Sequence, residues 1–169
     1  MSNPTIAKAY IALGSNLEDP AQQVQAAALA IAALPECQLI KLSSLYETAP
    51  VDCPEDEATP VPNFINAVLM LSTSLSPHAL LAALHAIEDD AGRQRPYINA
   101  PRVLDCDLLL YNDLVINDST LTLPHPRMHQ RGFVLLPLFE IDPHASIPNH
   151  GKIATLIAQQ PFTGIKRQG

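Results

Sequence analysis

Two proline-opened helix starts, Asp19-Pro20 and Ser76-Pro77, divide this 169-residue chain and restrict what it can fold into. Proline at the first helical position forfeits no hydrogen bond, and Asp or Ser before it is a preferred N-cap. At the first start Gln22 closes a capping box. Val24, Ala28, Ile31 and Leu34 then form one apolar stripe until Pro35 stops the run. In the second helix Leu80, Leu81, Leu84 and Ile87 form the stripe, and Gly92 ends it. Short apolar runs of strand length flank both: Ile6–Leu13, Leu39–Tyr46, Phe64–Leu71 and most of Pro101–Tyr111. The order β-α-β-β-α-β predicts an α+β, ferredoxin-like fold. It would be a four-stranded antiparallel sheet with both helices on one face. Extra C-terminal helices are expected over Phe133–Ile141, with Pro137 in its early part, and Ile153–Ala158.

The last of those strands carries the chemistry. Pro101-Arg-Val-Leu-Asp-Cys-Asp-Leu-Leu-Leu-Tyr111 holds two acids in an otherwise apolar run. Strand residues two apart share a face at roughly 6–7 Å. Asp105 and Asp107 therefore point together, and Cys106 points away with Leu104 and Leu108. Paired carboxylates resist desolvation unless a cation sits between them, and Mg2+ completed by substrate phosphates suits such a pair. The plainer reading is two solvated acids at a strand end. Arg93, Arg95 and Arg102 fall on a Pro-flanked loop suited to phosphate capture, or else they answer Glu88, Asp89 and Asp90. Asn66 interrupts an apolar face with Phe64, Val68 and Met70, either pinning neighbouring backbone or reading a ligand. His125 and His129 are four apart but lack the third ligand and intervening Glu of a zinc site. Arg127 and Arg131 at the same spacing would share a helical face.

Composition excludes several classes. A net charge of −7 argues against nucleic acid as the main partner, since phosphate backbones need a basic surface. Three cysteines without a C-x-x-C pair fit a reducing, cytoplasmic setting. No basic-then-apolar N-terminal stretch signals export, and no window is apolar enough to span a membrane. The length fits a single domain over 1–169. Prolines cluster at 50–62, 96–101 and 124–148 and mark fixed loops. The connection from Glu47 to Pro62 is too long for a hairpin, so it is functional or mobile.

Together these residues resemble the 6-hydroxymethyl-7,8-dihydropterin pyrophosphokinase family of folate biosynthesis. The resemblance rests on Tyr10-Ile-Ala-Leu-Gly-Ser-Asn-Leu17, Ser44-Leu-Tyr-Glu-Thr-Ala-Pro50, Asn63-Phe-Ile-Asn-Ala67, Glu88 with Gly92-Arg93, Pro101–Leu110, and Leu123-Pro-His125 with Arg131-Gly-Phe133. It covers the chain from about Ala7 to Pro148. It implies transfer of the pyrophosphoryl group of ATP to the pterin hydroxymethyl, releasing AMP. By resemblance Asp105 and Asp107 hold two Mg2+ ions, and Arg93 and Arg102 meet the phosphates as catalytic residues. Glu88, Arg95, Leu108, Thr122, His125 and Arg131 fall to ATP, with His85 on the same side. Thr48, Val51, Phe64, Asn66 and Phe133 fall to the pterin. The expected partners are these small molecules alone, with no nucleic acid or membrane, and the expected state is a monomer.

The chain departs from the family's pattern at several places. Phe64 replaces a usual Tyr, Pro126 an aromatic, and Asn99-Ala100 a Trp-Gly pair in a loop one residue shorter. Tyr97 is the aromatic left in that loop to pack over a bound pterin or the neighbouring loop, the plainer reading being a surface position. Two rival readings are a weak relative that binds pterin or nucleotide in an accessory role, and a non-enzymatic interaction module.

Overall fold

A computed structural model describes residues 6–16, 19–49, 63–92, 104–160, 162 and 164–168. In chain order the larger elements are β1 (Ala7–Ser15), α1 (Pro20–Ala32), β2 (Cys37–Leu42), β3 (Leu45–Thr48), β4 (Phe64–Thr73), α2 (Pro77–Ala91) and β5 (Asp105–Tyr111). The rest are β6 (Ile116–Asn117), β7 (Thr122–Leu123), α3 (Gly132–Ile141), β8 (Ser146–Ile147), β9 (Gly151–Lys152), α4 (Ile153–Gln159) and β10 (Ile165–Gln168). One antiparallel sheet runs β10-β3-β4-β1-β5, with β2 also on β4.

The sheet is larger than the four strands expected, for two reasons. The run read as one strand, Leu39–Tyr46, breaks at Ser43-Ser44 into β2 and β3. Ser43 makes the break by trading bonds with Val68: its N–H donates to the Val68 carbonyl, and its hydroxyl accepts the Val68 N–H, each at 2.9 Å. The second addition is β10, a mostly polar segment that pairs with β3. Its Lys-Arg-Gln sequence has no apolar alternation to mark it as a strand.

Helix α2 starts as its sequence demands, with the Ser76 hydroxyl accepting the Ala79 N–H at 3.2 Å. Helix α1 does not. Asp19 sits at φ 60°, and its side chain makes no cap bond, so the expected capping box is absent. An N-cap carboxylate needs extended backbone to fold back on the first turn, which a left-handed residue cannot supply. Gly92 does close α2, but at φ −91° rather than in the left-handed conformation.

Helices α1 and α2 cover one face of the sheet, packing Val24, Ile31, Leu80 and Leu84 against Ile11, Leu69 and Leu108. Helices α3 and α4 cover the other, where Leu135, Leu138 and Ile153 meet Tyr10, Val68 and Met70. Burying each such side chain contributes about 1.5–3 kcal/mol, so both layers hold the sheet. Pro137 lies mid-way along α3 rather than in its early part. Lacking an N–H, it leaves the Phe133 carbonyl without its helical partner. Strand β5 keeps strict alternation only to Leu108. Tyr10 pairs with Leu110 but Ile11 with Leu108, so Leu109 is an extra residue, and both Leu109 and Leu110 enter the second core. Among the described residues no helix is long and apolar enough to cross a membrane.

Candidate active site

The site begins with three strands in register. Gly14 of β1 lies between Asn66 of β4 and Asp105 of β5. One pair of residues further along, Ala12 lies between Val68 and Asp107. Side chains of one row point to one face. Here that face is the one α3 begins to cover. Because β1 contributes only a hydrogen and a methyl group, a trough remains between the amide on β4 and the acids on β5. It forms the floor of a cavity of about 320 Å³, at the lower end of ligand-sized pockets.

The walls come from elsewhere in the chain. Thr48 of β3 and Phe64 of β4 stand on one side, and Phe133 and Val134 of α3 close the top. Arg127, Gln130 and Arg131 approach from a single 3-10 turn, Met128–Gln130, just before α3. The two arginines expected to share an α-helical face therefore do meet the same cavity, by way of a tighter turn. The Arg131 guanidinium also lies 5.6 Å from the centre of the Phe133 ring, a cation–π distance.

Buried Asn66 donates through its Nδ2 to Thr48 Oγ1 at 2.9 Å, which fixes the orientation of both. Gly14 is tight against the same amide: a Cβ there would lie 3.0 Å from Asn66 Oδ1. Gly14→Ala is therefore expected to weaken binding of a ligand read by that amide about ten-fold, or 1.4 kcal/mol, by displacing its carbonyl. Titration with that ligand checks this, and unchanged affinity would show that the amide moves freely.

A second cavity, of about 220 Å³, lies across β5, lined by His85, Glu88, Leu108, Thr120, Thr122 and His125. Asp107 opens on both cavities. Burial pushes the His125 imidazole below its ordinary pKa against the pull of Asp107, with Arg131 and Arg127 adding to the downward push. Its Nδ1 faces the Arg127 backbone N–H at 3.2 Å, a bond only an unprotonated nitrogen accepts. His129 instead stacks flat on His150, ring centroids 3.8 Å apart.

Glu88 is almost fully buried, and its Oε2 accepts the Cys106 N–H at 2.9 Å. That bond pins the backbone between the two acids. Burial, with Glu88 and both aspartates, pushes the Cys106 thiol well up, so it is an inert core group. Removing the Glu88 acceptor strands a buried donor, so Glu88→Ala should cost about 1–3 kcal/mol of stability. Urea unfolding measures it, and a change under roughly 0.5 kcal/mol would contradict the role.

The expected residues thus fall into two groups. Thr48, Phe64, Asn66, Phe133, Asp105 and Asp107 line the first cavity, and Glu88, Leu108, Thr122 and His125 join Asp107 at the second. Arg131, expected with the nucleotide, opens on the first. Arg93, Arg95, Arg102, Val51 and Tyr97 lie outside the described residues, as does most of the Glu47–Pro62 connection. Sequence reasoning placed Arg127 beside Arg131 without a role and did not single out Ala12, Gly14 or Gln130 for the site. For Ala12 and Gly14 the only signal was two small residues two apart, on one face of β1, which also carries Ala7 and Ala9.

Comparison with known proteins identifies the family. Residues 10–143 match the family described as 7,8-dihydro-6-hydroxymethylpterin-pyrophosphokinase (HPPK). The chain is 42% identical over 162 residues to a 2-amino-4-hydroxy-6-hydroxymethyldihydropteridine pyrophosphokinase of Pseudomonas aeruginosa, covering 96% of this chain and 97% of the relative. It is 44% identical over 151 residues to the protein of the same name from Haemophilus influenzae, covering 89% and 91%. Its fold matches a crystal structure of an HPPK-DHPS in complex with substrates, with TM-score 0.73 and 14% identity. The match spans 95% of this chain and 46% of that longer one. On the family match and on its near full-length likeness to these relatives, the chain belongs to the 7,8-dihydro-6-hydroxymethylpterin-pyrophosphokinase family.

Proposed function

We propose that the protein transfers the pyrophosphoryl group of ATP to the hydroxymethyl group of 6-hydroxymethyl-7,8-dihydropterin, giving the pterin diphosphate and AMP. The observation that carries this reading is Asp107, which opens on two cavities of different character. One is aromatic and amide-lined, suited to a flat heterocycle, and the other is suited to a nucleotide. A group passing between them crosses the acids of β5. The order β2-β4-β1-β5, with α1 and α2 on one face, supports a ferredoxin-like reading of the core.

In the first cavity, Asn66 uses one amide hydrogen on Thr48, leaving its carbonyl and second hydrogen for the donor and acceptor edge of a pterin. Phe64 and Phe133 supply apolar ring faces. At the second cavity, neutral His125 and Thr122 offer hydrogen bonds to the nucleotide, with Leu108 against its base or sugar. Arg93, Arg95 and Arg102, with Arg127 and Arg131, would answer the charge of the triphosphate. The new bond joins the hydroxymethyl oxygen to the β-phosphorus, the bond from that phosphorus to the α-phosphate oxygen breaks, and AMP leaves.

Asp105 and Asp107 fit Mg2+. They are half-buried oxygen donors on one face. Among the described residues no cluster of three His, Cys, Asp or Glu could hold a metal by itself. A two-carboxylate site leaves most positions to water and phosphate, which is the habit of Mg2+ with nucleotides. Two Mg2+ ions held there would neutralise charge on the triphosphate and polarise the attacking hydroxyl. The enzyme is read as a monomer.

Incubation of the purified protein with ATP, Mg2+ and the hydroxymethyl pterin is the test. AMP and pterin diphosphate are expected in equal amounts, and EDTA should stop both. Calorimetric binding of both ligands with no AMP formed would instead support an accessory role.

A further inference from the structure

We propose that the C-terminal segment, through Phe162 and Ile165, positions the walls of the pterin cavity, although neither residue lines it. The inference rests on the assignment of that cavity to the pterin.

Ile165 begins β10 and stands opposite Thr48 in the antiparallel register with β3. Thr48 is the residue that accepts the Asn66 amide. On the other side of the cavity, α3 starts at Gly132, between the wall residues Arg131 and Phe133. A Cβ built on Gly132 would fall 2.6 Å from both the Phe162 ring and Ile165 Cδ1. That is well inside van der Waals contact, so the segment packs directly on the Gly132 backbone. Ile165 therefore touches the tripeptide that carries Arg131 and Phe133 and faces the strand that carries Thr48.

Polar bonds hold the rest of β10 in place. Gln168 Nε2 donates to Glu47 Oε2 at 2.8 Å, and the other oxygen of Glu47 accepts Asn63 Nδ2 at 2.9 Å, beside Phe64. Arg167 Nε donates to Ser44 Oγ at 3.0 Å. Ser44 and Tyr46 in turn bond the Glu140 carboxylate of α3, with Tyr46 Oη at 2.7 Å. Burial and Glu140 push the Tyr46 hydroxyl up to about 12, so it stays a donor. The nucleotide cavity is lined from α2, β5, the β6–β7 hairpin and His125 and Pro126 just after it, none of which β10 pairs with. The segment thus acts mainly on the pterin walls; of the groups proposed for the triphosphate it touches only the backbone beside Arg131, whose long side chain takes up a small shift.

The test uses full-length Ile165→Ala and the double variant Phe162→Ala, Ile165→Ala, with Ile165→Val as the conservative control. Ile165→Ala should raise KM for the pterin roughly ten-fold, because a wall displaced by a fraction of an ångström loses aligned contacts. KM for ATP should stay within about two-fold, and Ile165→Val should restore the pterin value. The double variant should exceed the single. Assays well below the unfolding midpoint separate this from simple loss of stability. Pterin KM unchanged in the double variant would overturn the proposal, as would equal losses for both substrates. If the wild-type protein itself forms no AMP, the functional assignment fails first, and the two failures are distinguishable.

Discussion

Asp107→Asn, assayed at saturating Mg2+, is expected to lose about a hundred-fold or more in kcat, because one metal-held oxygen in phosphoryl transfer is worth several kcal/mol. Asp105→Asn should behave alike. The reason lies in how β5 is built. Both side chains stand on the face toward the first cavity, while the Cys106 N–H between them is anchored on buried Glu88. Asn keeps their shape, so unfolding midpoints should match the wild type, or rise as like-charge repulsion falls. Near wild-type kcat in either variant would remove that carboxylate from the proposed metal site.

Asn66→Ala is the second large effect. It removes the amide expected to read the pterin edge, and it frees Thr48, its partner at 2.9 Å. A buried site built for hydrogen bonding loses affinity steeply when its polar groups lose their pairing. The expected fall in kcat/KM for the pterin is about a hundred-fold. ATP affinity, assigned in the proposed reading to the second cavity, should barely change. A matched fall in ATP affinity would mean that Asn66 holds the sheet together and does not read the ligand.

The site was legible where it followed strand periodicity. Asp105 and Asp107 share a face because alternation on β5 holds as far as Leu108. Past that point the bulge at Leu109 resets the phase, and no residue there announces it, since every candidate is Leu. Asn66 was legible as a polar side chain on an apolar face. Gly14 was not: read alone, Gly14-Ser15-Asn16 is a turn, whereas β1 continues to Ser15. Its function comes from having no side chain between Asn66 and Asp105, which only the pairing of β1 with β4 and β5 makes visible.

The fold shows the same division. Helix α2 followed from its Ser76-Pro77 start. Helix α1 kept its apolar stripe, although Asp19 turned left-handed and gave no cap. Propensity at one terminal residue is weak beside the packing of Val24, Ala28 and Ile31 on the sheet. Strand β10 was hidden because its bonds to β3 are main-chain, and its contribution rests on Ile165 reaching Gly132 across a distance in sequence that no local pattern encodes.

In the proposed reaction a diphosphate passes, as one unit, from the nucleotide cavity to the pterin cavity. ATP labelled at its β-phosphate tests it most directly. With the hydroxymethyl pterin and Mg2+ present, the label should leave the nucleotide and appear in the pterin product, with unlabelled AMP remaining. Label retained in ADP, with only the γ-phosphate moved, would contradict the account.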